Sequence, residues 1–352
     1  MTVETSSATK HDAVERVTRL APSPTGALHL GNARTFLVNW ALARQRGWRI
    51  VMRIEDLDGP RIKPGAAEQT LDILRWLGID WDGQPTLQSH DLQPHAAALR
   101  QLRDAGLIYP CRCTRKEIEQ AQSAPHEEGA ELRYPGTCRP TRRDGDAATT
   151  GEAGVAGVAW RLRVPEGPIS FSDHVAGPQC CDVERDLGDF VVATRGGLPA
   201  YQFAVVIDDI RQGVTDIVRG DDLLPSTARQ LWLYRLLPPA TSAAAPPPST
   251  EGPGESVPPA ARTLPTYYHL PLIVGPDGRR LAKRHGDTRL DAYRERGVPP
   301  ERVVGLLAYW SGVTPAREPM AAARFAEAFA LDRLPREPIV LGEADDAWLC
   351  GR

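Results

Sequence analysis

The stretch Arg19-Leu-Ala-Pro-Ser-Pro-Thr-Gly-Ala-Leu-His-Leu-Gly-Asn32 decides the fold. It follows an apolar run over 17–21 that predicts a buried strand, and it precedes an apolar stripe over 33–45 that predicts a helix. A Pro- and Gly-rich turn at this position leaves backbone N–H groups free at the helix N-terminus, where they favour phosphate oxygens. His29 and Asn32 add side-chain donors, and Gly31 lets a nucleotide approach the backbone. The stretch therefore predicts a phosphate-binding turn, with an ordinary connection capped by Asn32 as the alternative.

A second β-rich run, over 48–54, ends directly before Glu55. In an open α/β sheet, ligands bind beyond the carboxyl ends of parallel strands. Arg19, on the first strand, and Glu55, just past the second, are therefore expected to face one crevice. We predict an α/β protein with a Rossmann-like parallel sheet.

The chain has 352 residues, a length typical of about two domains. Its formal net charge of −3 does not exclude a local basic groove that binds nucleic acid. No apolar run approaches the length of a membrane span, and no export signal precedes the first strand, so a cytoplasmic protein without membrane contact is expected. Lysine is rare, which makes Lys283, in the cationic loop 279–286, conspicuous. That loop predicts phosphate contacts, with a solvated turn as the alternative.

Three cysteines, Cys111, Cys113 and Cys138, are grouped around one short segment. In a chain without an export signal this grouping favours metal over disulfides, and tetrahedral zinc needs one further ligand. Both His126 and Tyr134 are at hand, and by chemistry alone the imidazole of His126 is favoured. Three reduced thiols without metal are the alternative.

Composition and periodicity divide the chain into five segments. They are a disordered lead-in over 1–15, the first half of the Rossmann-like domain over 16–108, an inserted subdomain with the expected zinc site over 109–190, the second half of the Rossmann-like domain over 191–288 with a low-complexity insertion at 238–263, and a helical C-terminal segment over 289–352. Further strands are predicted over 160–164, 190–194, 215–218 and 267–274. Further helices are predicted over 65–77, 95–105, from 201, 226–237 with Ser226 as N-cap, 290–296 and 300–311.

Two separated stretches, His29-Leu-Gly-Asn32 and Arg280-Leu-Ala-Lys283-Arg284, together resemble the two signatures of the class I aminoacyl-tRNA synthetases. The stretches 19–26, 53–56, 201–209 and 218–223 resemble the glutamate-handling stretches of the glutamyl-tRNA synthetase group. All of them occur in the family's order, and the resemblance covers about residues 16–312. Two departures are Arg280, where a lysine often stands, and Ala282, where a serine is common.

The resemblance implies ATP-dependent activation of L-glutamate, with Mg²⁺ accompanying the ATP. It implies that Arg19 and Arg219 pair with the substrate's carboxylates and that Glu55 pairs with its ammonium. The implied set is His29 and Lys283 for catalysis; His29, Gly31, Asn32 and Lys283 for ATP; and Arg19, Leu20, Ala21, Pro22, Ser23, Glu55, Tyr201 and Arg219 for glutamate.

Only about seventy residues follow Lys283, too few for the anticodon-binding region of a full glutamyl-tRNA synthetase. The cysteine arrangement also looks like the zinc site of the glutamyl-Q tRNA(Asp) synthetases, in which a tyrosine is a ligand, so the resemblance favours Cys111, Cys113, Tyr134 and Cys138 with one structural zinc ion. It implies a monomer that transfers glutamate to queuosine in the anticodon of tRNA(Asp).

Two alternatives stay open. One is a compact glutamyl-tRNA synthetase that charges the 3′ end of tRNA(Glu). The other is a non-catalytic relative that binds tRNA or nucleotide for regulation, against which the joint presence of His29, Glu55, Arg219 and Lys283 argues.

Overall fold

The structure, a computed structural model, describes residues 15–57, 62–120, 132–140, 153–154, 156–237, 263–279, 281 and 288–351. Nearly all of the predicted lead-in and of the low-complexity insertion, together with the possible zinc ligand His126 and Lys283, lie outside the described residues.

The described residues form twelve strands and eleven α-helices. The strands are β1 (Val17–Leu20), β2 (Arg49–Ile54), β3 (Thr86–Leu87), β4 (Ile108–Cys111), β5 (Ala159–Leu162), β6 (Ile169–Asp173), β7 (Gly177–Cys181), β8 (Phe190–Ala193), β9 (Asp216–Gly220), β10 (Thr266–Leu270), β11 (Ile273–Val274) and β12 (Ile339–Val340). The helices are α1 (Leu30–Arg46), α2 (Ala66–Trp76), α3 (Gln93–Asp104), α4 (Arg115–Gln120), α5 (Val183–Asp186), α6 (Tyr201–Arg211), α7 (Leu224–Leu236), α8 (Leu290–Glu295), α9 (Pro300–Trp310), α10 (Ala322–Ala328) and α11 (Glu343–Leu349).

The main sheet has seven strands in the order β3-β2-β1-β9-β10-β6-β7. All neighbours are parallel except β6 and β7, which form an antiparallel hairpin. The expected α/β class with a mostly parallel sheet is confirmed. Strand β1 pairs with β2, the next strand in sequence, along one edge and with β9 along the other. The strand order therefore reverses beside β1. A crevice at the carboxyl ends of β1 and β9 is where such sheets bind ligands.

Helix α1 is buried between the sheet and the C-terminal helices, and the residues that pack there include Leu37, Ala41 and Phe325. Its buried residues extend from Leu30 to Ala43 and include the polar Arg34 and Asn39, as expected for a helix covered on more than one side. The C-terminal segment, predicted to be helical, holds α8 to α11 and the strand β12. Helices α9 and α10 pack on α1, and β12 pairs in parallel with β11, so this segment packs on the main sheet's helix layer.

A second, antiparallel sheet is formed by β4, β5 and β8. The segment predicted as one inserted subdomain, 109–190, therefore divides between two sheets, because β6 and β7 extend the main sheet. These two strands were not predicted, and neither were β3, β4 and β12. β3 and β12 are only two residues long, and β4 and β7 carry no clear alternation, whereas β6 (Ile-Ser-Phe-Ser-Asp) does alternate and its signal was missed.

Three predicted boundaries are wrong for identifiable reasons. The strand predicted over 267–274 is two strands, because Pro271 has no N–H to donate to a ladder. Ser226 is not an N-cap: α7 begins at Leu224, and the Ser226 hydroxyl accepts a hydrogen bond from the Gln202 amide. Helix α1 begins at Leu30, three residues earlier than expected, because His29 caps it. Within the described ranges, every helix is too short or too polar to cross a bilayer.

Candidate active site

A cleft with about 790 Å³ of empty space, open to solvent, lies at the point where the strand order reverses. Most of the predicted site residues line it: Arg19, Ala21, His29, Gly31, Asn32, Glu55, Tyr201 and Arg219. Three predicted glutamate-binding residues do not. Leu20 and Pro22 are buried, with Leu20 in the main core, and the exposed Ser23 hydroxyl lies 3.2 Å from that of Thr25.

Arg219, on β9, is 4% exposed and lines the cleft. Its Nε donates to His269 Nε2 at 2.9 Å, and its two terminal nitrogens donate to Gln230, Thr227 and the Leu223 carbonyl at 2.8, 2.9 and 3.3 Å. All of these acceptors are neutral. Within the described part of the chain, no carboxylate lies at ion-pair distance, so Arg219 is a buried cation beside an open cleft without a paired anion.

Arg19, on β1, is also buried, but it has an anionic partner. Its Nε lies 3.4 Å from Asp209 Oδ1, and its NH1 donates to the Val218 carbonyl at 3.3 Å. The same Asp209 oxygen lies 2.8 Å from NH1 of the fully buried Arg53. Asp209 on α6 therefore links the first two strands through two guanidinium groups.

Glu55 follows β2 directly, and two contacts hold it at the cleft. Its backbone N–H donates to the Pro22 carbonyl at 3.0 Å, and its carboxylate accepts from Arg53 at 3.1 Å. Burial raises the pKa of Glu55 above its ordinary value, and the nearby cations Arg53 and Arg19 offset this only in part. Burial therefore disfavours the ionised carboxylate, and a cationic ligand group would stabilise it.

Tyr201 begins α6 and lies across the cleft from the strand ends. The residue is 44% exposed, one of few large apolar side chains that are exposed in the described ranges. An aromatic ring with a hydroxyl at a cleft mouth can both pack on a ligand and hydrogen-bond to it.

His29 caps α1, which corrects the expectation of free backbone N–H groups in the signature turn. Its Nδ1 accepts from the N–H groups of Gly31 and Asn32 at 3.1 and 3.4 Å, and the Leu30 N–H donates to the Thr288 carbonyl at 3.1 Å. The imidazole thus takes the place of an anion at the helix N-terminus. Because Nδ1 accepts, the proton of the neutral ring is on Nε2. At the start of α1, a ligand would therefore meet side-chain donors rather than free backbone amides.

Gly31 is required by this cap. A Cβ at Gly31 would lie 3.1 Å from both Cε1 and Nδ1 of His29. A side chain at this position would push the ring away from the helix end, so the glycine serves the position of His29 as well as access to the backbone.

The described residues beside the second signature pack against the first. Leu290 donates to the Leu28 carbonyl at 2.9 Å, and His29 forms an isolated antiparallel bridge with Arg289. Thr288, which accepts from Leu30, follows the undescribed residues 282–287. The described residues that follow the second signature therefore lie against the first, while the role of Lys283 stays a prediction.

A separate cluster brings together the predicted metal ligands. The thiol sulfurs of Cys111, Cys113 and Cys138 all lie within 4.8 Å of one another. The Tyr134 hydroxyl lies 3.4 Å from Cys111 Sγ and 3.8 Å from Cys113 Sγ, and Cys113 Sγ lies 3.5 Å from Cys138 Sγ. Neighbouring ligand atoms around a tetrahedral zinc ion are about 3.6–3.8 Å apart, so these four atoms fit one such ion.

Arg161, on β5, adds a cation to this cluster. Its Nε donates to Cys111 Sγ at 3.3 Å, and its guanidinium lies 3.8 Å from the Tyr134 ring centroid. A buried positive charge here stabilises thiolates, which are the form of cysteine that binds metal.

Sequence reasoning gave no role to Arg53, Arg161, Asp173 or His269. Charged residues within otherwise apolar strands were the available signal, as in the run Arg-Ile-Val-Met-Arg-Ile of β2. Buried charges of this kind are almost always paired, but the partner is set by the sheet and not by the local sequence.

The model of the family described as tRNA synthetases class I (E and Q), catalytic domain, matches residues 15–245. A glutamyl-Q tRNA(Asp) synthetase of Rhodopirellula baltica is 43% identical over 346 residues, covering 93% of this chain and 97% of the relative. One of Symbiobacterium thermophilum is 42% identical over 342 residues, covering 95% of this chain and 98% of the relative.

The fold is similar to that of a glutamate tRNA ligase from Elizabethkingia meningosepticum, solved in complex with its amino acid. The TM-score is 0.72 and the identity 25%, with 95% of this chain and 68% of the ligase covered.

Proposed function

The chain belongs to the glutamyl-Q tRNA(Asp) synthetase family of class I tRNA synthetases, and from this premise we propose that it activates L-glutamate with ATP and transfers it to queuosine in the anticodon of tRNA(Asp). It is an enzyme of the ligase type. In the first step the α-carboxylate of glutamate attacks the α-phosphorus of ATP, which gives glutamyl-adenylate and pyrophosphate. In the second step a hydroxyl of the queuosine cyclopentene diol attacks the acyl carbon, and AMP leaves.

The observation that best supports glutamate as the substrate is that Arg219 is buried beside the cleft and has only neutral hydrogen-bond partners among the described residues. A buried guanidinium that faces a cleft and has only neutral partners has a strong electrostatic preference for an anionic ligand. Glu55, on the opposite side of β1, supplies the complementary charge for an ammonium group. A zwitterion with one additional carboxylate suits this arrangement better than a neutral side chain does.

Adenylate formation needs positioning and charge neutralisation more than proton transfer. We assign His29, Asn32 and Lys283 to the triphosphate of ATP–Mg²⁺, and Gly31 to the close approach of the nucleotide. His29 is held by its bonds to the start of α1, so its donor is fixed before ATP arrives. Tyr201 and Ala21, which line the cleft, would complete the wall around glutamate.

The acceptor is tested with labelled glutamate, ATP and three RNAs. They are tRNA(Glu), queuosine-containing tRNA(Asp), and tRNA(Asp) from cells that cannot make queuosine. We expect label only on the queuosine-containing tRNA(Asp), because a splayed, modified nucleotide suits a pocket in a catalytic domain. Label on tRNA(Glu) would instead establish the compact glutamyl-tRNA synthetase, and label on neither, without pyrophosphate exchange, would establish the non-catalytic alternative. The monomeric state stays a prediction.

We propose one structural zinc ion held by Cys111, Cys113, Tyr134 and Cys138, with Arg161 stabilising the thiolate of Cys111. Such an ion would join the segment after β4 to the loop around 134–138. Tyr134 already contacts two of the thiols, and its hydroxyl accepts from the Cys138 N–H at 2.8 Å.

Replacing Cys113 with serine should reduce the zinc content from about one ion per chain to well below one, because a closed structural site needs all four ligands. Metal analysis of the purified variants measures this, and thermal unfolding should move to lower temperature in parallel. Cys180→Ser is the matched control, since Cys180 is exposed on β7 and outside the cluster. Tyr134→Phe should lose zinc while His126→Ala keeps it; the reverse pattern would assign the fourth ligand to His126.

A further inference from the structure

Three neighbouring strands of the main sheet place one polar residue each in a buried row that ends at the cleft. Asp173 ends β6, His269 lies on β10, and Arg219 lies on β9, directly opposite His269 in the strand register. Asp173 Oδ2 is 2.7 Å from His269 Nδ1, and His269 Nε2 is 2.9 Å from Arg219 Nε. The residues are 3%, 1% and 4% exposed, so water does not compete for these bonds.

The chemistry of the two outer groups decides the state of the imidazole between them. An ionised carboxylate only accepts hydrogen bonds, and a guanidinium only donates them. His269 must therefore donate from Nδ1 to Asp173 and accept at Nε2 from Arg219, which makes it a neutral ring in a single tautomer. Burial lowers the pKa of His269 below its ordinary value, although its bond to Asp173 acts in the opposite direction, which agrees with the neutral form.

Asp173 is well suited to hold that tautomer. Its other oxygen accepts from the backbone N–H groups of Val175, Ala176 and His269 at 2.8, 2.7 and 3.2 Å. Burial disfavours the carboxylate, but the bond from His269 and these backbone bonds outweigh it, and the pKa of Asp173 lies below its ordinary value. The carboxylate is therefore ionised at neutral pH and is held by four hydrogen bonds.

The row limits what the Arg219 guanidinium can do. Of its five N–H groups, one goes to His269, and three more are used by Gln230, Thr227 and the Leu223 carbonyl. This leaves one N–H of NH1 without an acceptor among the described residues. Because the Nε bond to His269 is one of the four bonds that fix the plane of the guanidinium, it also helps to fix the direction of that last donor.

We propose that His269 and Asp173 are positioning residues for the amino-acid substrate: they hold Arg219 in the orientation in which it receives a substrate carboxylate, without touching the substrate themselves. This inference rests on the proposed function, in which Arg219 pairs with glutamate. It predicts that the row determines the affinity for glutamate and leaves ATP binding unchanged.

Asp173→Asn separates this role from a structural one. The asparagine oxygen can still accept from the backbone N–H groups of Val175 and Ala176, so the turn is kept. Its amide, however, donates to His269 Nδ1, which moves the ring proton to Nε2, where it opposes the N–H of Arg219. We expect the KM for glutamate to rise roughly 10- to 100-fold in ATP–pyrophosphate exchange, the range seen when supporting hydrogen bonds are lost, with the KM for ATP within about twofold of wild type.

The tautomer itself is measured by ¹H–¹⁵N correlation of the histidine rings. Wild type should show His269 protonated on Nδ1, and Asp173→Asn should show it protonated on Nε2. This measurement needs no substrate, so it tests the row even if the wild type fails to activate glutamate, an outcome that would reject the proposed function instead. An Nε2-protonated ring in the wild type would overturn the inference.

His269→Gln and His269→Phe provide the second comparison. A glutamine oxygen can accept from Arg219 Nε in place of the ring, so part of the glutamate affinity should return, whereas phenylalanine should lose it. His95→Gln is the matched control, because His95 is another fully buried histidine beside an aspartate, Asp208, at 3.4 Å, but does not line the cleft. Folded Asp173→Asn and His269→Phe variants with wild-type KM for glutamate would overturn the proposal, as would an equal loss in His95→Gln.

Discussion

Arg219→Ala should reduce kcat/KM for glutamate in ATP–pyrophosphate exchange by roughly 10²- to 10⁴-fold. A substrate carboxylate that enters a desolvated site without its cation loses about 3–5 kcal/mol, and each 1.4 kcal/mol corresponds to a factor of ten. The fold should persist, because the groups that Arg219 leaves behind are neutral and water can enter from the cleft. Steady-state exchange kinetics and thermal unfolding measure the two effects.

Two further variants make this test specific. Arg219→Lys keeps the charge but loses the planar fork, so it should retain only part of the activity. Arg44→Gln removes a surface arginine that pairs with Asp80 and Asp82, and it should leave the exchange unchanged. Wild-type exchange by a well-folded Arg219→Ala protein would remove Arg219 from the glutamate site.

Glu55→Gln should abolish most glutamate activation while leaving the protein as stable as wild type or more so. The variant cannot pair with the substrate ammonium, and we expect a loss of roughly 10²- to 10³-fold in kcat/KM, again from an unpaired buried charge. The effect on stability has the opposite sign. Because the pKa of Glu55 is raised in the folded protein, its stabilising contribution is present at low pH and is lost as the pH rises through that pKa. A neutral glutamine therefore removes an unfavourable charge at neutral pH.

The pH profile checks the same group independently. In the wild type, kcat/KM for glutamate should fall as the pH drops towards the raised pKa of Glu55, at a pH above the ordinary carboxyl value of 4.5, because protonated Glu55 no longer attracts an ammonium. Glu55→Gln should not show this acid limb, that is, the fall in kcat/KM at low pH. Glu15→Gln, at an exposed carboxylate that pairs with Arg49, is the matched control and should keep the wild-type profile. An unchanged acid limb in Glu55→Gln would show that another group produces it.

The local sequence was sufficient to predict many of the helices and strands and most of the residues that line the cleft. Helix α6 begins at Tyr201 as its apolar pattern indicates, and the strands that carry Arg19 and Arg219 were predicted to within a few residues. Motif order also indicated which side chains meet, and the cleft brings together eight of them. The family and its reaction class followed from those residues because signature turns are short and contiguous. Their functional residues are therefore neighbours in sequence and can be recognised without the structure.

How those side chains are held was not predicted from the sequence. The cap by His29, which satisfies N–H groups that the turn was expected to leave free, is a local contact that was missed because histidine is not among the preferred N-cap residues. The other contacts depend on tertiary structure. The row from Asp173 through His269 to Arg219 joins residues that are far apart in sequence, through the order β6-β10-β9. Periodicity reports which face of one element is apolar, but it does not report which strand lies beside which. The partner of a buried charge is therefore determined by sheet order and register, which arise only when the whole chain packs.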